Sequence, residues 1–106
     1  MQEFIVYVVG DKNAKQPRKW FRRIEFPLPG SLVYALRVTA ESRGALMREL
    51  DEPGVGVFWS RRLKAVIVEE PKLYLGRRSD MIASRLGPRV TERRWVNHKT
   101  IAQFAS

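Results

Sequence analysis

The chain has 106 residues, with 20 Lys and Arg against 11 Asp and Glu, a formal net charge of +9 and no cysteine. That length predicts one compact domain over residues 1–106, and 44% hydrophobic residues suffice for a modest core. The absence of cysteine excludes disulfides, thiolate zinc sites, iron–sulfur clusters and cysteine nucleophiles.

No stretch reaches the roughly 18 apolar residues of a membrane span. Met1-Gln2-Glu3-Phe4 lacks the positive start and apolar run of a signal peptide. The expectation is a cytoplasmic protein without membrane contact or cofactor.

Phe4 to Val9 is a continuous β-branched and aromatic run closed by Gly10, which predicts a strand buried on both faces near the middle of a sheet. Residues 10–19 are polar, contain Pro17 and read as a basic loop. Trp20 to Phe26 predicts a second strand, and Pro27-Leu28-Pro29-Gly30-Ser31 a turn. Leu32 to Val38 fits both periods; Val33, Tyr34 and Val38 favour a strand ending at Thr39. Thr39 then caps a helix over Ala40–Leu50 that buries Leu46, Met47 and Leu50, with Pro53-Gly54 as its stop.

Val55, Val57 and Trp59 alternate as a strand, and Leu63 to Val68 as its hairpin partner across Ser60-Arg61-Arg62. Lys72 to Gly76 reads as one more short strand. Ser79-Asp80 starts a helix over Met81–Leu86, and Gly87-Pro88 stops it. Trp95, Ile101 and Phe104 fall near helical spacing, so the basic segment 88–106 is read as helical over Thr91–Phe104. The order β-β-β-α-β-β-(β)-α-α predicts an α+β fold: an antiparallel sheet of about five strands with helices mostly on one face.

The charge is uneven. Residues 1–55 carry nine basic and seven acidic side chains, whereas 56–106 carry eleven and four. An isoelectric point near 10.7 with clustered arginine is the electrostatic footprint of a polyanion partner, DNA or RNA. Three clusters are candidate phosphate contacts. Lys12, Lys15, Arg18, Lys19, Arg22 and Arg23 surround Trp20 and Phe21. Arg61 and Arg62 sit at a hairpin tip, where guanidinium suits bidentate contact. Arg77, Arg78, Arg89, Arg93, Arg94 and Lys99 form the third; on a helix, Arg94 and Asn97 would share a face.

Catalytic readings are thinner. His98 is the only imidazole; with Tyr74 as a second proton handler and Arg94 to stabilise a phosphorane, it sketches a metal-free ribonuclease of toxin type. Asp51, Glu70 and Lys72 imitate an Asp…Glu-x-Lys nuclease set, but Pro71 interrupts it and the acids read as ends of a helix and a strand. Ile82-Ala83 and Leu86-Gly87 resemble helix-turn-helix spacing, broken by Pro88 and by Arg93 at a position usually buried. Tyr74-Leu75-Gly76 resembles half of a GIY-YIG nuclease core without its other half. The leading expectation is a non-enzymatic nucleic-acid-binding accessory protein. An assembly or inhibitor protein meeting an acidic partner, with a homodimer conceivable, is the second.

Overall fold

The longest apolar run becomes the centre of the sheet. In the computed structural model, which describes residues 1–10, 33–53, 55–70, 75–97 and 99–105, Phe4 to Val9 lie in strand β1 (Gln2–Gly10). β1 is flanked by β2 (Val33–Ala40) and β4 (Ala65–Glu70). Strands β3 (Gly56–Ser60) and β5 (Val90–Val96) complete a five-stranded sheet of order β3-β4-β1-β2-β5. The expected second strand, Trp20 to Phe26, lies outside the described residues.

The fold is α+β, but the sheet is mixed rather than wholly antiparallel. β1 pairs antiparallel with β2, placing Val6 opposite Leu36, and parallel with β4, placing Val6 beside Val66. The cause is in the links. Helix α1 (Arg43–Leu50) joins β2 to β3, and helix α2 (Leu75–Leu86) lies between β4 and β5. A helix that carries the chain back across a sheet lets the next strand run in the same direction. The short hairpin between β3 and β4 stays antiparallel, as expected.

Alternation sorts the side chains onto two faces. Val6, Val8, Leu36, Val38, Val66 and Val68 meet Leu46 and Leu50 of α1 and Ile82 and Leu86 of α2. Tyr7, Val9, Val33, Ala35, Ile67 and Val96 face the other way, against Ile101 and Phe104 of the short helix α3 (Ile101–Ala105). Two of the three described helices thus share one face. None of them is long and apolar enough to cross a membrane.

α1 begins three residues later than expected. Ser42, not Thr39, is its cap: Ser42 Oγ accepts from the Ala45 N–H at 3.1 Å, and Thr39 remains in β2 opposite Glu3. α2 begins earlier than expected. Leu75 and Gly76 are its first residues and so are helical, not part of the short strand expected at 72–76; residues 72–74 lie outside the described ones. Its buried stripe is Ser79, Ile82, Ala83 and Leu86 at helical spacing. Gly87 then adopts φ +60°, a left-handed stop cheap only for glycine, and Gly87–Arg89 form one 3₁₀ turn.

The largest correction is the tail. Val90–Val96 is a strand, not a helix; β5 pairs antiparallel with β2, Tyr34 opposite Trp95 and Leu36 opposite Arg93, with a bulge between Arg37 and Val38. The helical spacing of Trp95, Ile101 and Phe104 was fortuitous, because Trp95 belongs to the strand and the other two to α3. The helix-turn-helix echo fails for the same reason: a strand follows Gly87-Pro88-Arg89. Arg94 and Asn97 therefore share no helix face. Asn97 instead organises the turn into α3, its Oδ1 accepting from the N–H groups of Lys99 at 2.8 Å and Thr100 at 3.1 Å.

Candidate nucleic-acid interface

The described arginines divide into those bound internally and those left facing solvent. Arg37, on β2 between β1 and β5, is the most engaged. Its Nε donates to Glu92 Oε1 at 3.1 Å, Nη1 to Glu3 Oε1 at 3.2 Å, and Nη2 to the Phe104 carbonyl. Its guanidinium also lies 5.0 Å from the centre of the Phe104 ring. The hydrogen bond to Glu92, reinforced by Glu3, holds the Arg37 pKa above its ordinary value against the opposing effect of burial. Arg94 joins the same cluster: Nη2 lies 2.7 Å from Glu92 Oε2, and its guanidinium is 5.7 Å from the Phe104 ring centre.

Arg89 and Arg85 tie α2 and the turn after it to α1. Arg89 grips Glu49 with both terminal nitrogens, Nη1 donating to Oε1 at 2.9 Å and Nη2 to Oε2, while Nε donates to the Leu86 carbonyl at 3.3 Å. These bonds hold the Glu49 carboxyl below the usual carboxylate range. Arg85 Nη2 lies 2.8 Å from Glu52 Oε2. Of the sequence-predicted contacts, Arg89 and Arg94 are therefore structural cations first.

The exposed set has a different placement. β3 and β4 are joined by Arg61, Arg62, Leu63 and Lys64, since Ser60 pairs directly with Ala65. Ser60 Oγ accepts from the Leu63 N–H at 3.2 Å, and Lys64 closes the turn at φ 52°. A lysine in that left-handed conformation costs about 1 kcal/mol or more. Arg61, Arg62 and Lys64 are all exposed at this tip. Trp59, which precedes the tip, carries the guanidinium of Arg43 at 4.6 Å from its ring centre. Residues 56–64 contain no acid.

A second exposed locus lies across the sheet. Arg93 and Trp95 project from β5 on the face shared with α1 and α2, opposite to the face that holds Glu92 and Arg94. Trp95 is 44% exposed, and its ring lies 4.9 Å from that of the buried Tyr34. Lys99 is exposed in the turn before α3.

The remaining sequence-predicted residues are dispersed or fall elsewhere. Arg77 and Arg78 belong to α2. Lys12, Lys15, Arg18, Lys19, Arg22, Arg23, Lys72, Tyr74 and His98 lie outside the described residues. Asp51 is the C-terminal cap of α1 and Glu70 the last residue of β4. Among the described residues, no three acidic or imidazole side chains gather as metal ligands. Burial pushes the Tyr7 phenol up, so it stays protonated at neutral pH.

Two contributors escaped the sequence reading. Arg43 carries no signal in the sequence, because its stacking on Trp59 depends on α1 packing against β3. Trp95 is read from the sequence only as part of a helical tail. The signal is present in the sequence: Trp95 directly follows Arg93 and Arg94, a basic–aromatic juxtaposition like that noted around Trp20. No protein-family model matches the chain, and neither the curated proteins nor the solved structures give a significant match.

Proposed function

We propose that this is a cytoplasmic nucleic-acid-binding accessory protein that holds phosphates through the β3–β4 tip and acts without chemistry of its own. The observation that carries this reading is the tip: Arg61, Arg62 and Lys64 exposed on one four-residue turn, beside the Arg43–Trp59 stack, in a stretch without acids. Long cations on a hairpin tip reach a phosphate backbone without moving the sheet, and the turn is braced from within by Ser60. The internally paired arginines Arg37, Arg85, Arg89 and Arg94 then serve as scaffold, keeping α1, α2, α3 and β5 in register behind the contact surface.

The test is a salt titration of binding to duplex DNA and to RNA. Each phosphate neutralised on B-DNA contributes about −0.9 to the slope of log affinity against log salt. Replacing all three cations in Arg61→Gln/Arg62→Gln/Lys64→Gln is expected to flatten that slope by up to about 2.7, without lowering the melting temperature. Absence of binding at low salt, or a slope unchanged in the triple variant, overturns the reading.

A further inference from the structure

We infer that β5 carries a stacking platform for an unpaired base, so that the preferred ligand is single-stranded nucleic acid. The inference rests on the nucleic-acid reading above and adds the substrate class.

Trp95 is unusual among the aromatics described. Tyr7, Tyr34, Phe58 and Phe104 are buried, whereas nearly half of the Trp95 side chain meets solvent. It is not loose: the Tyr34 ring, directly opposite on β2, lies 4.9 Å away with the planes tilted by 53°. A large ring fixed by a buried neighbour yet open to solvent is preorganised to receive another flat group.

Its surroundings give that group a charge. Arg93 lies on the same face two residues earlier, about 6.6 Å along the strand. It is exposed and has no carboxylate partner among the described residues. The neighbouring acid, Glu92, is turned to the opposite face and satisfied by Arg37 and Arg94. What this edge offers on the Trp95 face is therefore an indole and a guanidinium without an ion-pair partner among the described residues. From Arg93 an open groove of about 370 Å³ runs toward α2, bounded by Ala83, Gly87, Val90, Thr91 and Glu92, whose carboxylate is held by Arg37 and Arg94. The groove gives a flexible strand somewhere to continue once one base is seated.

An aromatic face with a cation a short step away matches a base and its phosphate. In a duplex the base faces are hidden in the stack, so only the Arg93 charge would act on it. In a single strand both elements act together, and stacking is tolerant of base identity.

The test uses the full chain and fluorescence anisotropy, with a labelled oligothymidylate and a duplex of the same length at one salt concentration. Trp95→Ala is expected to weaken single-strand binding at least about fivefold and to leave duplex binding within about twofold. Trp95→Phe, which keeps a ring, is expected to retain most of the single-strand affinity. If wild type binds but Trp95→Ala binds the single strand equally well, the platform is wrong while phosphate contact at the β3–β4 tip stands. Equal loss on both ligands also overturns it. If wild type binds neither ligand at low salt, the nucleic-acid reading itself fails, and this inference with it.

Discussion

Arg37 is the residue on which the two ends of the chain converge, and its loss should be costly in a way that can be estimated. The side chain is 19% exposed and joins β2 to Glu3 of β1, to Glu92 of β5 and to the Phe104 carbonyl in α3. Arg37→Leu keeps an apolar body and removes all three bonds. The Glu92 bond is part-buried and charge-assisted, and bonds of that kind contribute about 1.5–3 kcal/mol. The Phe104 carbonyl loses a donor, for about 1 kcal/mol more. Glu3 is 54% exposed, so water replaces the guanidinium there at little cost. Glu92 keeps Arg94 at 2.7 Å, which spares the larger penalty of a stranded buried charge. The expected loss is about 2.5–4 kcal/mol. With a urea slope of about 1.5 kcal/mol/M, the unfolding midpoint falls by about 1.7–2.7 M. Hydrogen exchange should show the amides of α3 losing protection first, since Arg37 both bonds its carbonyl and covers its Phe104 ring. Glu3→Gln is the control, expected to shift stability by less than about 0.5 kcal/mol. A loss below about 0.5 kcal/mol for Arg37→Leu, or an equal loss for Glu3→Gln, would refute the reasoning.

Two further outcomes follow from the scaffold. Hydrogen bonds from Arg89 depress the folded-state pKa of Glu49, so this pair contributes stability that is present above the unfolded carboxylate pKa and is lost as pH falls through the lower folded one. Urea midpoints compared between neutral and acidic pH should fall less in Glu49→Gln than in wild type. Asn97→Ala removes the acceptor for the Lys99 and Thr100 N–H groups and should cost about 1 kcal/mol in chemical denaturation, with circular dichroism little changed.

The parts of the fold that were legible in the sequence are those whose burial is symmetric or whose stop signals are local. β1 was readable as central because Phe4 to Val9 has no polar position to spare for a solvent face, and both of its neighbours in the sheet demand that. Gly87-Pro88 was readable because a left-handed glycine and a proline end a helix whatever surrounds them. β5 was not legible. It is the sheet's edge among the described strands, and its two faces are committed to different polar tasks: Glu92 and Arg94 to the Arg37–Phe104 cluster, Arg93 and Trp95 to the exterior. Such a strand shows no alternation of hydrophobicity, only alternation of partners. The parallel pairing of β1 with β4 was equally hidden, because it is imposed by α1 lying between β2 and β3 and not by any residue in the paired strands. Of the candidate site, Arg61 and Arg62 were legible from the shortness of their link; which downstream arginines are internal was not, since Arg89 meets Glu49 and Arg94 meets Phe104 only in three dimensions.

That division of labour changes what the net charge of +9 means for binding. A count of basic residues treats every arginine as available to a phosphate. Here Arg37, Arg85, Arg89 and Arg94 are each within ion-pair distance of a described carboxylate, and releasing one to a ligand would first break the pair. The electrostatic field of the whole chain still attracts a polyanion, because pairing does not alter net charge. On the proposed reading, contact falls instead to exposed cations outside these ion pairs, Arg61 and Lys64 at the β3–β4 tip and Arg93 on β5. If the proposed function holds, steering and grip are therefore carried by different residues. On this reasoning, removing the paired arginines should damage folding before it damages binding, while removing Arg61, Lys64 or Arg93 should do the reverse.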